Sequence, residues 1–121
     1  MRLLALGPLA LVLACSGPPA PDAALCQDVI TRMCLARTCT GVNEQLALEN
    51  QDCQATLLER TGCGAEEFAF SSPSRERILS CRLPLVRKST DLNRAPACED
   101  VAEVLQNCSD VIVVFLGGRQ P

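Results

Sequence analysis

From residue 26 onward, apolar side chains recur at intervals of three and four, the spacing of one face of an α-helix. Cys26, Val29, Ile30, Met33 and Cys34 form the first such stripe. It follows Asp22, a residue type that caps helix starts, and predicts a helix over 23–36. Thr38 to Gly41 breaks the pattern, with Cys39 inside the break. Val42 to Glu49 is a weaker helical run. Asn50 can cap a second helix, predicted over 51–61, with Cys53, Leu57 and Leu58 inward and Gly62 as its stop. Cys63 follows at once, and Gly64 to Ser71 reads as a loop under which Phe68 and Phe70 tuck. Ser72-Pro73 is a start signal, Ser as N-cap and Pro in the first turn, so a third helix is predicted over 73–82. Pro84 interrupts, and Arg87 to Ala95 is polar loop. After Pro96, the stripe of Val101, Val104, Leu105, Cys108, Val111, Ile112 and Phe115 predicts a last helix that begins at 97–108 and continues until Gly117-Gly118. The run Val111 to Leu116 would also suit a strand. The length of the periodic match decides for helix, with Ser109-Asp110 as the place where it can break. The expected fold class is all-α, a small bundle of about four helices.

The residues ahead of this pattern behave differently. Met1-Arg2 carries one positive charge, and Leu3 to Leu13 is apolar except for Gly7 and Pro8. A membrane-spanning helix needs about 20 apolar residues, so this run fits the apolar core of a signal peptide instead. It ends in Val12-Leu13-Ala14-Cys15, which resembles the lipobox of bacterial lipoproteins. The resemblance covers the leader alone. It implies cleavage after Ala14, lipid on Cys15 and anchoring of the chain to a membrane. The expected organisation is a lipoprotein signal peptide over 1–14, a lipid attachment and Pro-rich tether over 15–22, and a disulfide-rich helical domain over 23–121. Ser16, rather than Asp, follows the Cys; by the sorting habit of such lipoproteins this points to the outer membrane of the bacterial cell envelope.

Cysteine parity makes the same point independently. The chain has nine cysteines. With Cys15 set aside, Cys26, Cys34, Cys39, Cys53, Cys63, Cys81, Cys98 and Cys108 form an even set, which reads as four disulfides in an oxidising compartment. Eight cysteines allow on the order of a hundred pairings, and helix geometry narrows them. If helices 23–36 and 51–61 form an antiparallel hairpin, Cys26 faces Cys63 and Cys34 faces Cys53. Their spans are about 12 and 15 Å at 1.5 Å per residue. Helices 73–82 and 97–108 would join through Cys81–Cys98, leaving Cys39–Cys108. The spacings Cys53 to Cys63 and Cys98 to Cys108 also resemble the unit of coiled-coil-helix–coiled-coil-helix proteins, used here as an analogy for helix–disulfide geometry.

Composition then removes several chemistries. There is no His, Trp or Tyr, and Phe occurs three times. Without His, a His-dependent triad or a HExxH zinc site cannot be built. No C-x-x-C occurs, so neither a thioredoxin-like site nor a metal site is expected, and no cofactor is implied. Removing Arg2 with the leader takes the net charge from −3 to −4, which argues against nucleic acid as a partner. Glu99, Asp100 and Glu103 read as acids in the first turns of a helix, facing water. Charge is unevenly spread: six acids stand against Arg60 between Glu44 and Glu67. Arg75, Arg77, Arg82, Arg87, Lys88 and Arg94 stand against Glu76 and Asp91. The basic stretch is a candidate contact for an anionic envelope component, or it pairs with the acidic segment. The function expected is therefore a lipid-anchored, disulfide-stabilised helical module of the envelope with a binding or structural role, for which a protein partner is the other candidate. Two alternatives are an envelope hydrolase using carboxylates, which needs two acids converging in a cleft, and a small inhibitor presenting the Phe68–Phe70 loop.

Overall fold

Helix α1, Pro21–Leu35, runs through the middle of a computed structural model that describes residues 21–117. The expectations for the signal peptide 1–14, for Cys15 and for the tether up to residue 20 lie outside the described residues. After α1 come α2 (Val42–Gln45), α3 (Cys53–Thr61), α4 (Arg75–Val86), α5 (Cys98–Asn107) and α6 (Ser109–Leu116). Among the described residues there is no strand, so the fold is all-α with six helices. Three pairs carry most of the packing: α1 with α3, α3 with α6, and α4 with α5. The core between them is aliphatic, with Phe115 its one fully buried ring.

Local chemistry explains where the boundaries moved. Asp22 lies inside the first turn of α1 rather than capping it. Its carboxylate accepts from Phe70 N at 2.8 Å and pairs with Arg75. The cap of α3 is Asp52, not Asn50, accepting from Ala55 N at 2.9 Å. Gly62 stops α3 at φ +75, a left-handed conformation that Gly adopts without steric cost. α4 starts at Arg75 behind Ser74 as N-cap, with Ser72-Pro73 a cis peptide just before it. It also runs past Pro84 to Val86. The amide that Pro84 lacks would have served the carbonyl of Ser80, an exposed residue that water can reach. The last stripe is two helices, broken at Cys108 with φ −125 and ψ 44, one residue before the expected place. The stretch 111–116 is helical, and the strand reading falls.

Four disulfides staple these elements. Cys26 bonds to Cys63 and Cys34 to Cys53, with Cα–Cα distances of 6.2 and 5.7 Å. That is the pairing expected of an antiparallel α1–α3 hairpin. The other two expected pairs are corrected: Cys39 bonds to Cys98, and Cys81 to Cys108. The correction follows from α4 continuing beyond Pro84. Cys81 is then five residues short of the helix end, about 7.5 Å along the axis, too far back to meet the start of α5. Arg77 on α4 reaches Asn107 and Asp110, while Arg87 after it reaches Asp100 and Glu103. In that antiparallel register Cys81, between the two arginines, falls opposite Cys108.

Candidate functional site

A cleft of about 250 Å³ opens where the end of α4, the 87–97 segment and the first turn of α5 meet. Leu85, Ala95, Pro96 and Ala97 supply its apolar wall, and Lys88, Ser89, Arg94 and Asp100 its polar one. A shallower hollow, about 300 Å³, lies on the other flank of the same segment between α1 and Leu92. The segment is pinned from below. Arg32, 2% exposed, donates through Nη1 to Ser89 O at 3.4 Å and through Nη2 to Thr90 O at 3.0 Å. Its Nε is held by Asp28 at 3.0 Å, one turn earlier on α1, and Arg82 pairs with the same carboxylate. Within the segment, Ser89 Oγ accepts from Asp91 N at 3.1 Å and Asp91 Oδ1 from Asn93 N at 2.8 Å.

Most charges of the cleft are paired. Asp100 is 3% exposed, not facing water as expected. It accepts from Arg87 at 2.9 Å and lies 3.6 Å from the Lys88 ammonium. Glu103 takes the other arm of Arg87 at 3.1 Å, and Glu99 pairs with Lys88. The hydrogen bond to Glu103 raises the Arg87 pKa, and the one to Glu99 raises that of Lys88. No two carboxylates are left to act as an unpaired acid and base here.

Each member of the basic stretch can now be placed. Arg75 pairs with Asp22, Arg77 with Asp110 at 2.9 Å, Arg82 with Asp28, Arg87 with Asp100 and Glu103, and Lys88 with Glu99 and Asp100. Arg94 lines the cleft, and among the described residues it has no ion pair. Five of the six basic side chains are therefore ion-paired within the fold. The acids that neutralise them are not those of the 44–67 segment; they come from α1, α5 and α6. Residues local in sequence are spread over three helical contacts because α4 packs on α1, α5 and α6 at once. Phe68 and Phe70 are half-buried against the core, edge to face with ring centroids 4.9 Å apart.

Sequence reasoning missed the arginines that bind carbonyl oxygens. Arg37 donates to Glu49 O at 2.7 Å, Gln51 O at 2.6 Å and Asn43 Oδ1 at 2.9 Å. Arg60 donates to Leu46 O and Ala47 O, and reaches Phe115 O at 3.5 Å. Between them they hold a turn in which Ala47 and Glu49 take φ of 49 and 52, a region costly for residues with a Cβ. Asp28 and Arg32, four apart, are a helix-surface pair in sequence. That spacing was the one available signal, and it does not disclose burial. Among the described residues, no group of three or more His, Cys, Asp or Glu is placed to hold a metal ion. None of their helices is long and apolar enough to cross a membrane. Compared with protein-family models, with curated proteins and with solved structures, the chain matches none of them.

Proposed function

We propose that this chain is a lipid-anchored helical module of the bacterial cell envelope, held to the membrane through Cys15 and acting by binding or as a structural element. One observation carries the reading. All eight cysteines after Cys15 are consumed by disulfides with one another. The ninth, in Val12-Leu13-Ala14-Cys15, has no cysteine left to pair with in its own chain. An unpaired thiol in a disulfide-forming compartment needs a use, and a thioether to lipid supplies one. Stable anchoring takes two or more fatty chains at about 0.8 kcal/mol per buried methylene, which the lipobox chemistry provides. The outer membrane is the destination favoured by Ser16. The partner is the membrane through the anchor, together with an envelope protein. The ion pairing of the 75–94 segment speaks against an anionic surface held by free cations. The half-buried phenylalanines and the paired acids of the cleft favour neither the inhibitor nor the hydrolase.

Intact mass of the protein extracted from membranes tests the anchor. A chain starting at residue 15 and carrying acyl adducts is expected; a soluble product with an unmodified Cys15 sinks the reading.

A further inference from the structure

The four disulfides are not equally protected. Cys26 and Cys63 are fully buried, and Cys81 and Cys108 are nearly so. Of the eight half-cystines, Cys98 alone is exposed. It is also the first residue of α5, preceded by Ala97, which brings no side-chain acceptor to the helix start. A first turn presents the positive end of the helix dipole, while Glu99 and Asp100 in the same turn place negative charge beside Cys98. Cys34 is the nearest rival, being half-buried. It lies in the last turn of α1, where the dipole is reversed and a thiolate is disfavoured. Reachability therefore singles out one bridge, Cys39–Cys98.

That bridge is also the one whose loss takes no disulfide from either helical hairpin. The α1–α3 pair keeps two disulfides, and the α4–α5 pair keeps Cys81–Cys108. Cys39–Cys98 instead joins the turn before α2 to the start of α5, beside the cleft, across a separation of 59 residues. We propose that Cys39–Cys98 is a thiol-exchange site, opened selectively by an external dithiol reductant while the other three disulfides stay closed. The inference goes beyond membrane anchoring and does not depend on it.

The exchange balances as follows. A thiolate of the reductant attacks Cys98 Sγ; the Cys39–Cys98 bond breaks, and its electron pair leaves on Cys39 Sγ, which takes a proton from water. The second thiolate of the reductant then attacks its own chain's sulfur in the mixed disulfide, and Cys98 departs as a thiolate. Two electrons pass from the dithiol, which becomes a disulfide, to the cystine, which becomes two thiols. The product frees the first turn of α5 from the α1–α2 turn.

Graded dithiothreitol on the folded, full-length chain, quenched with N-ethylmaleimide and mapped as peptides, reads the order of opening. Cys39 and Cys98 are expected to label together, at least about tenfold faster than any other pair, because buried bridges wait for larger openings. Helical circular dichroism should persist at that stage. Glutathione, a monothiol, is expected to leave its adduct on Cys98. Another pair opening first, or all four opening together with loss of helix, overturns the proposal; an adduct on Cys39 overturns the assigned sulfur. The C39S/C98S variant is expected to stay helical with the remaining three native bridges, and scrambling of those bridges would count against selective opening.

Discussion

The α1–α3 hairpin and the α4–α5 hairpin are both antiparallel helix pairs, yet they are fastened in opposite ways. The first is closed at each end by a disulfide between its own helices, and one of those, Cys26–Cys63, is fully buried. The second has ion pairs near its ends, Arg87 to Asp100 and Glu103 on α5, and Arg77 to Asp110 at the start of α6. Its one internal bridge starts from the middle of α4, and its exposed cysteine is spent on a distant turn. The difference has a physical consequence. A disulfide acts on the unfolded chain whatever the solvent, whereas exposed ion pairs are weak and respond to pH and salt. One hairpin is fixed covalently, and the other is adjustable at its ends.

The largest test of that contrast removes a bridge from the first hairpin. C26A/C63A opens a loop closed across a separation of 37 residues, for which chain entropy gives about 4 kcal/mol. Denaturant unfolding should show a loss of that order. If the variant unfolds within about 1 kcal/mol of the parent, smaller than the usual range for a native bridge, the hairpin is held mainly by packing, and the comparison fails.

What the sequence disclosed divides along the same line. In α1 and α3 the cysteines sit at opposite ends of periodic stripes, bounded by Gly62, and geometry alone gave their partners. In α4 the Pro84 signal was read as a stop, which placed Cys81 at a helix end it does not occupy. That single misplacement exchanged two of the four pairings. The cleft was beyond reach for a related reason. Its wall comes from α4, the 87–97 segment and α5, and the segment's position depends on Arg32, a charged side chain buried from α1. Composition argues for Arg at the surface, and nothing in the local pattern of residues 28–34 announces that this one serves two carbonyls 57 and 58 positions away.

Arg32 therefore gives the second test. Removing one member of a buried, hydrogen-bonded pair costs about 3–5 kcal/mol when the other charge is stranded. Here Arg82 still partners Asp28, which puts R32M toward the low end, at about 3 kcal/mol. Hydrogen exchange should rise across residues 87–97 while the α1–α3 hairpin keeps its protection. Equal loss of protection in both regions would mean that the clamp is not local to the cleft segment.

The smallest expected effect is the response to acid, and it separates the ion pairs themselves. Asp22 is held below its ordinary value near 3.8 by the Phe70 N–H and by Arg75. Burial raises Asp28, but hydrogen bonds and charge from Arg82 and Arg32 outweigh it, and the net direction is down. Asp110 is lowered chiefly by its hydrogen bond from Arg77. A carboxylate with a depressed folded-state pKa lends stability that is complete above its unfolded value, and that is lost as pH falls through the folded one. All three should therefore support the fold down to about pH 4 and release it below. Added salt then distinguishes them. Asp110 and Arg77 are both exposed, 47% and 39%, and about 1 M salt cuts the screening length to about 3 Å, so their contribution should fade. Asp28, at 17% exposure between two arginines, should keep its low titration. Carboxyl carbon shifts followed by NMR in low and high salt read each group directly. If Asp28 moves toward its ordinary value in salt as far as Asp110 does, the α1–α4 junction is as soft as the end of α4–α5, and burial does not set the two apart.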